Sequence, residues 1–341
     1  MKITDRQYYA QELTGSVFTP VLPEKILASM QVRDMIIELP GDFALASSQP
    51  LKNAFVRVRL HGNMSNPVIA VLGGISAGRI VADHQNERGW WRQMAGPKRA
   101  IDTGKFCVLS FDFLPNEEEH AIQICPSDQA RALAHILQVL HIPSLHSLIG
   151  ASYGGAVALQ FAALFPECLQ RLVVLAAAHK QHPMATAVRG IQRRIIEFGL
   201  LNGDGKGAVA LARQLAMTTY RSADEFEARF EGPLTAKGNS EACDYLVAKS
   251  EGFEMTPERY LALSLSLDLH QINPKAITTK PLIIAIDGDR LVPVEHMREL
   301  AAKILGSRII EIPSIYGHDG FLKETAAISP HIRSFINGAI S

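Results

Sequence analysis

Three residues of this chain have the types and order needed to activate a hydroxyl against a carbonyl: Ser152, Asp289 and His318. Ser152 lies in Gly150-Ala151-Ser152-Tyr153-Gly154, a G-x-S-x-G segment that follows an apolar run and opens a stretch of small residues from Ala156 to Phe165. A strand-to-helix turn of that kind lifts the serine side chain above a sheet. The glycines two before and two after it remove the Cβ atoms that would collide there. A hydroxyl is a weak nucleophile until a base takes its proton, and the base needs an acid to orient it. In enzymes built on such a turn the partners follow as serine, acid, histidine. Asp289, in Gly288-Asp289-Arg290-Leu291-Val292-Pro293, stands in a loop just past an apolar run, and His318 follows in Tyr316-Gly317-His318-Asp319-Gly320. Asp287 is nearer the end of that run and reads as a turn residue. Asp112, after an earlier run, is the remaining alternative acid.

Attack on a carbonyl creates an oxyanion that two backbone N–H groups must hold. Tyr153, directly after the nucleophile, is expected to supply one. The other is expected from the loop Leu72-Gly73-Gly74-Ile75-Ser76-Ala77-Gly78, from Ile75 or, alternatively, Gly74. The chemistry that follows is acyl transfer through a serine ester.

These side chains need a frame. Pro67 to Leu72, Phe106 to Ser110, Leu145 to Ile149, Leu172 to Leu175 and Pro281 to Ile286 are short continuous apolar runs, the pattern of strands buried on both faces. Ala54 to Leu60 instead alternates apolar and charged residues, which predicts a strand with one wet face. Ser127 to Leu140 places Ala130, Leu133, Ala134 and Leu137 on one helical face after a Ser127 cap. Strand, helix, strand in this rhythm predicts an α/β fold with a mostly parallel, doubly wound sheet. The rhythm stops between about His182 and Pro274, a stretch rich in helix formers that reads as a helical lid. The expected organisation is a core of residues 1–182 and 275–341 with a lid at 183–274, closing over the carboxyl ends of the strands, where such sheets bind ligands.

Composition narrows the function classes. The 341 residues carry 34 Lys+Arg and 34 Asp+Glu, which gives no basic stripe for nucleic acid. No stretch has the length and apolarity of a membrane span, and the first residues, MKITDRQYYAQELTG, hold no signal-peptide core. A cytoplasmic protein is expected. The four cysteines, Cys107, Cys125, Cys168 and Cys243, form no CxxC or Cys/His cluster and read as buried thiols, so neither a metal nor a disulfide framework is expected.

The GASYGG turn, the acid loop DGDRLVPVEHM, the segment GHDGFLKE and the lid stretch ALARQLAMTTYRS together resemble the homoserine O-acyltransferases of the α/β-hydrolase superfamily, over about Pro67 to Ser334. The resemblance implies an α/β-hydrolase fold, a Ser152, Asp289, His318 triad, and transfer of an acyl group from acyl-CoA to L-homoserine in methionine biosynthesis. Acetyl-CoA is the first expectation for the donor and succinyl-CoA the second. It implies that Arg213 clamps the homoserine carboxylate and that Asp319 binds its amino group. It implies no cofactor, with the coenzyme serving as a substrate, and a possible homodimer joined through the lid. A carboxylic ester or amide hydrolase with the same triad, or a serine O-acyltransferase, is the alternative. The chain departs from the common family pattern at GASYGG, in place of GGSMGG, and at GGISAGR, in place of a His-Ala-Leu-Thr-like loop. The loops and the side chain after the nucleophile are expected to shape the acyl pocket. Arg79, Arg92, Lys98 and Arg99 are candidates for meeting the coenzyme phosphates.

Overall fold

The computed structural model describes residues 32–49, 51, 54–116, 122–232, 234, 238 and 240–338. The leader reading of the first fifteen residues lies outside them. Eight strands form one sheet, in the order β1-β2-β6-β3-β7-β8-β9-β10: β1 (Val32–Glu38), β2 (Phe55–His61), β6 (Cys107–Phe111), β3 (Val68–Leu72), β7 (Ser147–Ala151), β8 (Leu172–Leu175), β9 (Pro281–Ile286) and β10 (Arg308–Ile312). The six strands from β6 to β10 run parallel, whereas β2 is antiparallel to both β1 and β6. Two short strands, β4 (Ala95–Gly96) and β5 (Ile101–Asp102), pair separately.

The five apolar runs of the sequence are β3, β6, β7, β8 and β9, and every residue in these strands is buried. Side-chain alternation sends Ala70 and Leu72 into one core and Ile69 and Val71 into the other. Helices α1 (Pro126–Val139) and α2 (Tyr153–Leu164) cover the first face through Leu133, Ile136, Val157 and Leu159. The second is covered by Trp91 and by Ile328, Ile332 and Ile336 of the C-terminal helix Thr325–Ile336. Each such side chain contributes about 1.5–3 kcal/mol by leaving water.

Three local expectations are corrected. β2 has no wet face at Arg59, which is 3% exposed, because Asp34 of β1 and Glu87 take its guanidinium into an ion-paired cluster. The first helix is capped at Cys125, not Ser127: Asp128 accepts the Cys125 N–H at 2.8 Å, and Pro126 sets the first turn. Of the cysteines only Cys107 is buried; Cys125 and Cys168 are half-buried and Cys243 is exposed.

Between β8 and β9 the chain leaves the sheet and forms five helices: α3 (Pro183–Leu201), α4 (Gly205–Tyr220), α5 (Ala223–Arg229), α6 (Glu241–Ser250) and α7 (Pro257–Asp268). Val294–Lys303, now α8, then packs Met297 and Leu300 on the first face. Among the described residues no helix is long and apolar enough to cross a membrane.

Candidate active site

The turn between β7 and α2 is set by steric exclusion. Ser152 is held at φ +55°, ψ −119°, a backbone conformation that costs a side-chain-bearing residue energy and persists only where its surroundings impose it. A Cβ on Gly150 would fall 2.2 Å from the Gly154 carbonyl oxygen, and one on Gly154 would fall 2.3 Å from that of Leu72. The Gly154 N–H donates to Gly73 at 2.8 Å and that of Ser152 to Leu175 at 2.9 Å, tying the turn to β3 and β8. The hydroxyl is thereby presented at the carboxyl end of the sheet.

The loops after β9 and β10 reach the same place. Ser152 Oγ lies 2.8 Å from His318 Nε2, and His318 Nδ1 lies 2.7 Å from Asp289 Oδ2. The other Asp289 oxygen accepts the N–H groups of Leu291 and Val292 at 2.8 and 2.9 Å, which fixes the carboxylate in its loop. Burial pushes the His318 pKa down, but the charge and hydrogen bond of Asp289 and the charge of Asp319 outweigh it and hold the imidazole above its ordinary value. Asp287 is exposed beyond the strand end, and Asp112 is engaged with Arg79, so neither reaches His318.

Tyr153 is the first residue of α2, and its N–H therefore has no acceptor within the helix. Gly74 and Ile75 line the cavity above Ser152, and a Cβ on Gly74 would lie 3.9 Å from Ser152 Cβ. Their loop is pinned from outside. Asp112 accepts the Arg79 N–H at 2.8 Å and the Arg79 guanidinium at 2.6 Å, and the Trp90 indole donates to Gly78 at 3.1 Å.

The Tyr153 side chain does not shape the acyl pocket. It is fully buried away from the cavity, edge-on to Phe113, with its hydroxyl 2.7 Å from Ser266 of α7 and 3.3 Å from Gln129 of α1. It joins the Ser152 turn to α7. Of the residues considered for coenzyme phosphates, Arg79 is bound to Asp34 and Asp112, while Arg92, Lys98 and Arg99 are exposed.

A cavity of about 330 Å³ separates Ser152 and His318 from helices α3, α4 and α7. Arg213 of α4 faces it, with the guanidinium 4.7 Å from the Phe253 ring centre and 5.4 Å from that of Tyr220, and with a buried Nε that has no hydrogen-bond partner among the described residues. Tyr220 stands 6.1 Å from the His318 ring. Met217 and Tyr220 share the cavity wall with Arg213. Asp319 also faces the cavity and makes no capping hydrogen bond; instead it lies 2.8 Å from Arg221 Nε. Burial raises its pKa, with Arg221, His318 and Arg213 pulling the other way.

Sequence reasoning missed Arg221, although the residue stands in the TYRS segment. It bridges Asp319 and Glu225, the latter at 2.6 Å. Arg189 and Gln192 of α3 and Tyr260 of α7 were also missed as cavity residues. Their signal was absent because an arginine on an amphipathic helix reads as solvated until its neighbours are known.

The sheet order, the strained serine turn and the serine, acid, histidine succession define an α/β-hydrolase-type protein, and the sequence profile of the alpha/beta hydrolase fold matches residues 88–325. The chain is 38% identical to the homoserine O-succinyltransferase of Xanthomonas campestris pv. campestris over 322 residues, covering 91% of this chain and 85% of that protein. It is 34% identical to the homoserine O-acetyltransferase of Thermus thermophilus over 281 residues, covering 73% of this chain and 72% of the relative. Among solved structures, homoserine O-acetyltransferase from Bacillus anthracis superposes with a TM-score of 0.82 at 16% identity, over 90% of this chain and 98% of that one, a likeness of fold. The chain belongs to the homoserine O-acyltransferase family of the α/β-hydrolase fold.

Proposed function

We propose that this protein transfers an acyl group from acyl-CoA to the side-chain hydroxyl of L-homoserine, in methionine biosynthesis, through an ester on Ser152. The observation that carries the reading is the hydrogen-bonded series Ser152, His318, Asp289 at the floor of a cavity whose opposite wall presents Arg213, with a buried Nε that has no hydrogen-bond partner among the described residues. Names of relatives in the family support homoserine as the acceptor and a succinyl or acetyl group as what is transferred.

In the first half-reaction His318 Nε2 takes the Ser152 proton as Oγ bonds to the thioester carbon. The oxyanion rests on the N–H of Tyr153 and on that of Ile75 or Gly74. The tetrahedral adduct collapses, the C–S bond breaks, and the proton on His318 leaves with the CoA thiolate. In the second half-reaction the homoserine hydroxyl loses its proton to His318 and attacks the ester carbon. Collapse breaks the bond to Ser152 Oγ, which recovers the proton. Asp289 keeps Nδ1 protonated throughout and stabilises the imidazolium. Arg213 offers a planar fork to the α-carboxylate of homoserine, and Asp319 offers a carboxylate to its ammonium. No step uses a metal or prosthetic group. The coenzyme is a substrate. The chain 183–274 acts as the lid that excludes water from the ester, and two copies associate through its outer face.

The test is an acyl-CoA assay with and without homoserine, combined with intact-protein mass. An ester on Ser152 that persists until homoserine is added supports transfer. Rapid thioester loss without the amino acid identifies a hydrolase.

A further inference from the structure

Asp319 is the acid to which the reading above gives the ammonium of homoserine, yet its place in the fold works against its charge. Its side chain is 14% exposed, and burial drives the carboxyl toward the protonated form, which donates a hydrogen bond where an ammonium needs an acceptor. Four titratable side chains face it: Arg213 and Tyr220 from α4, Arg221 from the end of α4, and His318 from its own turn.

Arg221 and Ser222 form the corner between α4 and α5, and both are buried there. Arg221 Nε stands 2.8 Å from Asp319 Oδ2, while Nη1 donates to Glu225 Oε1 at 2.6 Å. Glu225 is itself buried on α5 and is met from its other side by Arg229 at 3.5 Å. The corner sits directly on the histidine loop. The Ser222 hydroxyl donates to the Ile315 carbonyl, and a Cβ on Gly317 would lie 3.0 Å from the Ser222 nitrogen and 3.1 Å from the Arg221 carbonyl carbon. Residues 315–319 and the corner are therefore packed as one piece, with the Arg221 guanidinium fixed between the two carboxylates.

A cation beside an ammonium site would by itself repel the ligand. The geometry resolves the conflict, because Arg221 takes Oδ2 of Asp319 and leaves Oδ1 for the ammonium. Its charge also opposes the effect of burial, and it does so more strongly than His318 or Arg213. His318 is neutral when it acts as the base, and the Arg213 charge is met by the acceptor carboxylate once homoserine is bound. Arg221 is the cation that stays. Resting on the acyl-transfer reading above, we infer that Arg221, held by Glu225, is a positioning residue for the Asp319 carboxylate and thereby sets the preference of the site for a hydroxy acid that carries an ammonium over the same hydroxy acid without one.

The experiment compares homoserine with 4-hydroxybutyrate, which has the same hydroxyl and carboxylate but no ammonium, as acceptors from pH 5 to 8.5. Both meet the same acyl-enzyme, so the ratio of their kcat/KM values cancels any change in acylation or in His318. The wild-type ratio should favour homoserine by about 10²-fold at its plateau, the size of a charge-assisted contact, and fall only at the acid end. In Arg221→Gln the acid limb should move to higher pH, with the ratio about tenfold below wild type at pH 6 and recovering toward pH 8.5. Arg221→Lys keeps the charge and should stay within about threefold of wild type. Glu225→Gln removes a negative charge behind Arg221, so its acid limb should move the other way, to lower pH; this variant decides the matter if Arg221→Gln does not fold. A ratio in Arg221→Gln that is unchanged, raised, or lowered by one factor at every pH overturns the inference, as does an acid limb in Glu225→Gln that stays in place or moves up. A wild-type enzyme that acylates 4-hydroxybutyrate as readily as homoserine also overturns it and leaves transfer through Ser152 standing. Transfer to neither acceptor removes the transferase reading itself.

Discussion

At Ser152 the geometry assigns separate tasks to three side chains, and each can be removed alone. Ser152→Ala and His318→Ala should each lower turnover by roughly 10³ to 10⁶-fold with the unfolding transition unchanged, checked by steady-state rates beside thermal melts. The pH dependence has a definite sign. His318 must be neutral to accept the serine proton, and its pKa is raised, so acylation should rise with pH through a midpoint above that of an ordinary histidine. Asp289→Asn removes the main source of that elevation. The midpoint should move down while the plateau falls by about 10³ to 10⁴-fold, measured as single-turnover CoA release from pH 5 to 9. Arg213→Ala should mainly raise the KM of homoserine; a change confined to the acyl donor would show that this guanidinium serves the other substrate. The nucleophile, acid and base were legible because each occupies a loop directly after an apolar run, where type and place coincide. Arg189 and Arg221 were not. Their roles depend on Asp268, Glu225 and Asp319, which lie 79, 4 and 98 residues away and meet them through contacts that only the folded structure makes visible.

The five buried strands stood out because helices cover both faces and leave no polar positions to blur the run. β1 and β10 escaped notice for the opposite reason: at the sheet edges most of their residues stay partly exposed, and VRDMIIE and RIIEI show no clean period. The β7 to α2 turn was readable from its glycines, and the distances give those glycines a cost. Gly154→Ala puts a methyl carbon 2.3 Å from a main-chain oxygen of β3, an overlap that neither strand nor helix can relieve locally. A loss of about 1–3 kcal/mol is expected in urea unfolding, together with a fall in acylation rate as Ser152 is displaced. The Tyr153 side chain was misjudged for a topological reason. Its backbone points at the oxyanion while its ring turns inward to α7, so Ser266→Ala should cost about 1 kcal/mol of stability with little change in donor preference.

The 183–274 segment was legible in the sequence as an interruption of the strand rhythm, rich in helix formers and with Arg213 at helical spacing from Met217 and Tyr220, but the inner and outer faces of its other helices were not. The folded chain separates them. Arg189, Arg213, Tyr220 and Tyr260 look into the cavity, whereas Phe198 and Leu201 of α3 and Leu211 of α4 stand 70%, 87% and 56% exposed on the other side. Ile191, Ile195, Ala208 and Leu211 line a shallow groove beside Phe198 on that outer face. Adjacent exposed side chains of this size form an apolar patch, which the proposed association of two copies would bury. Sedimentation velocity of the wild-type protein at micromolar concentration should therefore give twice the chain mass of 37.3 kDa. Phe198→Glu combined with Leu201→Glu should give the monomer, because each buried charge opposes association on both sides of a two-fold contact. Acylation of Ser152 should survive that change, since neither side chain reaches the cavity. A wild-type monomer at these concentrations would show that the outer face of the lid is not where copies of the chain meet.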